Sequence, residues 1–291
     1  MRHRDPDDTK LGHYDIGRTP FFSLQADRRF SYCLAVPPDY NEADKRYSLV
    51  VLVHGTGRSA AEYRDAFTEF AAVHDCIVMA PLFAAGMTSP RDISSYKFIR
   101  HGGIHYDQIL FAMVAEVAAK YRLVSDAFLL FGFSGGAHFA HRMFILHPAR
   151  LRAVSIGAPG LVTLIDPQRP WWTGTADIGE RFGVALNLAA MRRVPVQMVI
   201  GDQDTETWEI VLDERSQWWM PGANDAGTTR LERVATLKRN FESHGIAVQL
   251  DYVPGAGHVG QLLLPRVQSF MSQALLYSIR SRGTDANSST P

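Results

Sequence analysis

Short apolar runs alternate with longer stretches of helical period along most of this chain, and the two periods predict different elements. Residues 49–53, Leu-Val-Val-Leu-Val, are apolar at every position, as expected of a strand covered on both faces. Residues 76–80 and 128–133 repeat that signal, and 153–156, 196–200 and 248–253 read as further strands. Helical stretches separate them. Residues 59–73 form one; 104–121 form another, with Ile109, Met113, Val117 and Tyr121 on one stripe and Glu116 and Lys120 off it. Residues 137–146 stop before Pro148, residues 229–243 stop before Gly245, and residues 260–278 close the series. Strands alternating with crossover helices predict an α/β fold, a mostly parallel central sheet of about eight strands with helices on both faces. Ahead of it, residues 21–24 and 30–36 read as a hairpin that ends at Pro37-Pro38, where ladder donors are lost.

Two stretches break the rhythm, residues 160–190 and 205–227, and all five tryptophans lie in them: Trp171, Trp172, Trp208, Trp218 and Trp219. Ligands of open α/β sheets bind outside the carboxyl ends of the strands, so insertions after these strands would lie over the site. The five indoles are therefore candidate substrate-contacting side chains; the alternative is that they anchor long loops to the surface. Residues 21–280 read as one catalytic domain carrying these insertions, with 1–20 an N-terminal extension and 281–291 a Ser/Thr/Asn-rich tail, both ends expected to be poorly ordered.

Bulk composition narrows the partners. A chain of 291 residues with 46% apolar content can bury a large core. Thirty basic residues balance thirty acidic ones, so no net field favours nucleic acid or an anionic membrane, and neither is expected as a partner. A homo-oligomer is left open. Cys33 and Cys76 are too few for a disulfide framework or a thiolate metal site and fit a reducing compartment. The polar start has no secretion-type apolar run, and no stretch reaches the ~18 apolar residues of a membrane span, so the expectation is a soluble cytoplasmic protein.

Four motifs carry candidate chemistry. Gly132-Phe133-Ser134-Gly135-Gly136 is G-x-S-x-G placed between a buried strand and a helix, where small neighbours allow a strained turn that exposes a serine hydroxyl. His54-Gly55-Thr56-Gly57 follows the first core strand, where a Gly-rich turn can aim N–H groups at a developing oxyanion; Thr56 is the expected donor, paired with Gly135. Gly201-Asp202-Gln203-Asp204 offers two carboxylates to orient an imidazole. Asp204, further into the loop, is preferred, and Asp202 is expected to hold the turn itself. Gly255-Ala256-Gly257-His258 supplies a histidine whose ordinary pKa suits general-base work. His138 with His141, and His101 with His105, have helical spacing that suggests metal ligands, but no acidic residue completes an HExxH pattern. Structural or solvent-facing roles are expected for them, and no metal. The chain also lacks GxGxxG after a strand and GxxxxGK[ST], so no cofactor is expected.

From about residue 30 to 278 the sequence resembles the α/β-hydrolase superfamily, through HGTG, GFSGG, GDQD and GAGH in that order. It looks most like bacterial esterases near the dienelactone-hydrolase and polyhydroxyalkanoate-depolymerase groups. The resemblance implies Ser134 as nucleophile, His258 as base and Asp204 as the acid behind it, acting on a small-molecule carboxylic ester. If the tryptophans line the pocket, an apolar or aromatic moiety is expected on that ester. An amidase or peptidase, a lactonase, an acyltransferase or a non-catalytic binding protein of the same fold are the alternatives.

Overall fold

The computed structural model describes residues 10–287, with side chains as far as Leu276. Strands β1 (Gly17–Arg18), β2 (Phe22–Ser23) and β3 (Ser31–Val36) lead in, and β4 (Ser48–Val53) carries the first fully apolar run. Helices α1 (Ala60–Ala66) and α2 (Thr68–Val73) connect it to β5 (Cys76–Leu82). A short ribbon of β6 (Arg100–His101) and β7 (Ile104–His105) precedes α3 (Tyr106–Lys120) and β8 (Phe128–Phe133). Then follow α4 (Gly135–Leu146), β9 (Leu151–Gly157), α5 (Ile178–Phe182), α6 (Leu188–Met191), β10 (Val196–Gly201), α7 (Arg230–Ser243), β11 (Val248–Val253) and α8 (Gly260–Asn287).

The sheet order is β1-β3-β5-β4-β8-β9-β10-β11, with β2 also on β3, nine strands in all. From β5 to β11 the neighbours are parallel; β1, β2 and β5 meet β3 antiparallel. Every residue of β8 and β10 is buried, as apolar runs without alternation require, whereas edge strand β11 stays partly exposed throughout. Helices cover the two faces in groups. Gln268 of α8 donates to Ala66 O of α1 at 3.0 Å, and Phe144 of α4 meets Phe241 of α7 edge-on at 5.4 Å. Among the described residues no helix is long and apolar enough to cross a membrane.

Several boundaries differ from the sequence expectation. The helix expected over 59–73 is split at Phe67, whose ring is fully buried at the break. The helix expected from residue 104 begins at Tyr106, because Gly102 and Gly103 both take positive φ, 57° and 77°, and turn the preceding residues into a two-residue hairpin. His101 therefore pairs with Ile104 and His105 with Arg100 across a ribbon, and the two histidines share no helical turn. Residues 10–20, expected to be loosely held, are tied down: Gly17 and Arg18 pair with Val36 and Ala35, and Lys120 Nζ lies 2.6 Å from Asp15 Oδ1. The closing helix continues beyond residue 278 to Asn287. Residues 1–9 and 288–291, the rest of the two expected loose ends, lie outside the described residues.

Candidate active site

Strand β8 delivers Ser134 into a turn that almost no other sequence could make. Ser134 sits at φ 54° and ψ −114°, a conformation L side chains rarely adopt, and its N–H is anchored to Gly157 O at 2.8 Å. The flanking glycines are required sterically. A Cβ on Gly132 would lie 2.0 Å from Gly136 O, and one on Gly136 would lie 2.1 Å from Val53 O, both backbone atoms that cannot yield. Helix α4 starts immediately after, so the Gly135 N–H stands in its first turn with no intrahelical acceptor.

A continuous hydrogen-bond chain joins three loops above the sheet. Ser134 Oγ lies 2.9 Å from His258 Nε2, and His258 Nδ1 lies 2.6 Å from Asp204 Oδ2. A carboxylate can only accept, so Nδ1 carries the ring proton and Nε2 is left to accept from the serine. Phe133 packs on the imidazole with ring centroids 4.7 Å apart. Asp204 has no solvent exposure, and its second oxygen, Oδ1, faces the buried Arg230 Nη1 at 3.3 Å. Asp202 does something else: its Oδ1 accepts the Gly255 N–H at 2.8 Å and so ties the β10 loop to the loop that carries His258.

The His54 turn is held from several sides. Phe83 N–H donates to His54 Nε2 at 3.0 Å, which places the ring proton on Nδ1, bonded to Gly55 O at 2.8 Å. Burial pushes His54 down to about 4, so the ring is neutral and serves the backbone. Tyr96 OH donates to His54 O at 3.1 Å, and Arg58 Nη1 donates to Thr56 O at 2.6 Å. Thr56 and Gly135 are brought side by side: a Cβ on Gly135 would stand 3.3 Å from Thr56 Oγ1.

Two cavities flank Ser134. An open one of about 340 Å³ is lined by Tyr63, Phe133, Trp208, His258 and Val259, a largely apolar wall around the imidazole. A smaller, more enclosed one of about 60 Å³ lies against Thr56, Lys97, Gly135, His138, Trp218 and Arg230. Of the five tryptophans, Trp208 thus borders the first cavity and Trp218 the second. Trp171, Trp172 and Trp219 border neither. Trp171 and Trp172 are buried beneath, where Trp171 Nε1 donates to Phe98 O at 3.2 Å and Trp172 Nε1 to Trp218 O at 2.9 Å. They fit the anchoring alternative, Trp172 stapling one insertion to the other and Trp171 tying its insertion to the turn before β6, because a buried indole N–H needs an acceptor.

Four residues at the second cavity escaped the sequence reading as site residues: Lys97, His138, Glu209 and Arg230. In sequence, His138 and His141 have only the spacing of a metal pair. In the fold His141 is fully engaged, with Nε2 accepting from Thr163 N and Nδ1 donating to Ala137 O. His138 Nε2 accepts from both Gly160 N and Leu161 N, at 2.7 and 2.9 Å, so its Nδ1 bears the proton. Nothing in local sequence marks Lys97 or Arg230, which come to the site on a turn after β5 and on the first residue of α7.

No protein-family model and no curated protein matches the chain. Solved structures do. A poly(3-hydroxybutyrate) depolymerase from Bordetella parapertussis is 25% identical, with a TM-score of 0.69 over 88% of this chain and 90% of that one. The poly(aspartic acid) hydrolase-1 of Sphingomonas sp. KT-1 is 19% identical, with a TM-score of 0.69 over 87% and 97%. An S-formylglutathione hydrolase from Agrobacterium tumefaciens is 14% identical, with a TM-score of 0.55 over 84% and 89%. The fold is that of the α/β-hydrolases, and in this chain Ser134, Asp204 and His258 follow the carboxyl ends of β8, β10 and β11.

Proposed function

We propose that this protein is a serine hydrolase that cleaves carboxylic esters through an acyl-enzyme on Ser134. The observation that carries the reading is the unbroken chain from Ser134 Oγ through His258 to the buried Asp204. His258 Nε2 takes the serine proton as Oγ bonds to the carbonyl carbon, and the N–H groups of Thr56 and Gly135 receive the oxyanion. The carbon–oxygen bond to the leaving alkoxide then breaks as His258 returns the proton to it. Water, deprotonated by His258, repeats the attack and releases the acid. Asp204 holds the imidazole in the required tautomer and stabilises its charged form.

Ester is favoured over amide by the 25% identity to a depolymerase whose named polymer, built from a hydroxy acid, is joined through ester bonds. The apolar wall of the open cavity, with Tyr63, Phe133, Trp208 and Val259, suits an apolar or aromatic leaving group beside His258.

The test is labelling of the purified chain with a fluorophosphonate, with mass spectrometry of the modified peptide. Labelling of Ser134 in the wild type that is lost in Ser134→Ala and His258→Ala supports an activated serine. A folded wild type that is neither labelled nor active on aryl esters overturns the assignment. Matched ester and anilide substrates separate ester from amide hydrolysis, and added alcohols reveal an acyltransferase.

A further inference from the structure

The small cavity behind Ser134 is built unlike an apolar acyl pocket. Three of the six buried side-chain polar atoms without a hydrogen-bond partner among the described residues belong to residues that line this one space: Thr56 Oγ1, His138 Nδ1 and Arg230 Nε. The last two are N–H groups, since His138 Nε2 is occupied as an acceptor and a guanidinium only donates. Buried donors left unpaired are costly, and their convergence on one cavity points to an acceptor that belongs there.

Charge says what kind of acceptor. Lys97 is about nine-tenths buried, and among the described residues no carboxylate lies within 4.0 Å of its Nζ. The methylene stem of Lys97 runs beside the nucleophile's neighbour, for a Cβ on Gly135 would lie 2.8 Å from Lys97 Cε. Arg142, also buried, is held only by carbonyl oxygens, Thr163 and the faces of Phe98, Trp171 and Trp172. The charges that act on Lys97 are those of Arg58, Arg142 and Arg230, which oppose its ammonium, and of Glu209, which is partly exposed, lies 3.9 Å from Arg230 and favours it; Asp204 is committed to His258. Positive charge therefore outweighs negative around this cavity. A neutral water could satisfy a donor here but not that charge. Burial already pushes Lys97 down to about 8, which the charge of Glu209 offsets only in part.

The two cavities also differ in which half of an ester they can receive. The leaving oxygen must take its proton from His258, and His258 borders the open cavity but not the enclosed one. Ser134 and Thr56 border both cavities, but Gly135, the other expected oxyanion donor, borders only the enclosed one, which places that cavity on the acyl side. Its volume of about 60 Å³ is roughly two waters' share of liquid, enough for one small polar group.

We propose that the enclosed cavity is a subsite for a carboxylate at the far end of the acyl group, so that the preferred substrates are monoesters of short dicarboxylic acids. The proposal rests on the serine-hydrolase reading above and deepens it. Lys97 and Arg230 supply the charge, His138 Nδ1 a neutral donor, and the leaving group occupies the open cavity. Glu209, which borders both cavities, opposes the anion from the rim.

The experiment compares kcat/KM of the full chain for monophenyl glutarate and monophenyl adipate with that for the corresponding methyl phenyl diesters, whose only difference is the capped carboxylate. The wild type should favour the anionic ester by about tenfold or more at its better chain length, the scale of hydrogen bonds to a charged group. In Lys97→Met that ratio should fall toward 1, and in Glu209→Gln it should rise. Should Lys97→Met not fold, protection of wild-type Ser134 from fluorophosphonate by free glutarate, and not by glutaramide, reads the same preference. Diesters hydrolysed as well as or better than monoesters, with a ratio that both substitutions leave unchanged, overturn the subsite while leaving the hydrolase reading in place. Absence of labelling and of turnover on every ester overturns both.

Discussion

Arg230 and Asp204 form an ion pair out of contact with solvent, 3.3 Å between Nη1 and Oδ1, directly behind the 2.6 Å contact of Asp204 Oδ2 with His258. The carboxylate that orients the imidazole is thus itself held by the first residue of α7. Removing one partner of a buried pair leaves an uncompensated charge, typically at a cost of about 3–5 kcal/mol. Arg230→Met is therefore expected to lower stability by about 3 kcal/mol or more, read as a shift of the urea midpoint at unchanged slope. A shift equivalent to under about 1 kcal/mol would show that Asp204 is not sustained by this pair.

Asp204 and Asp202 stand two residues apart, yet their expected effects differ by orders of magnitude. Asp204→Asn should leave the fold in place and reduce kcat by about 10⁴, because an amide at that position favours the wrong histidine tautomer. Asp202→Asn keeps an oxygen to accept the Gly255 N–H and should cost less than about tenfold. Steady-state kinetics on one aryl ester distinguishes the two, and equal losses would overturn the roles given to them.

Backbone strain at Ser134 has its own signature. A residue at φ 54° and ψ −114° carries about 1–3 kcal/mol that glycine does not, part of which glycine's extra unfolded-state freedom offsets. Ser134→Gly is expected to be inactive and about 1 kcal/mol more stable than Ser134→Ala, two variants that both lack the hydroxyl. Equal denaturation midpoints would show the turn to be unstrained.

Preference for an anionic acyl group should depend on pH through Lys97, whose ammonium is fully charged well below about 8 and neutral well above it. The groups that face it are Glu209, which favours its charge, and Arg58, Arg142 and Arg230, which oppose it. His138 stays neutral throughout, since burial holds it well below its ordinary value. The monoester-to-diester ratio of kcat/KM should therefore be high below pH 8 and decline above it, while any pH effect on the shared triad cancels in the ratio. A flat ratio from pH 6 to 10 would remove Lys97 from the anion's surroundings.

Much of this protein could be read one dimension at a time. Residues 49–53 and 128–133 announce buried parallel strands because a strand covered on both faces has no polar side to alternate. Ser134 was legible because its turn has no room for side chains at Gly132 and Gly136, and that requirement is written in adjacent letters. His258 and Asp204 were legible as loop residues at the ends of late strands, where the parallel sheet collects its loops at one edge. The break at Phe67 and the helix start at Tyr106 were not, since the helical pattern reads on through Phe67 and back to Ile104, and packing decided the ends.

What the sequence by itself determined, then, is whatever depends on neighbours along the chain: the strand and helix periods, the elbow, and the order in which serine, aspartate and histidine arrive. Tertiary structure alone decided what depends on neighbours through space. It sent Trp171 and Trp172 beneath the site and only Trp208 and Trp218 to its cavities. It also brought Lys97, His138 and Arg230, from three separate elements, around one enclosed space. The physical reason is that burial, and with it the cost of an unpaired donor or charge, is set by how elements pack, and no residue carries that cost in its own stretch of sequence.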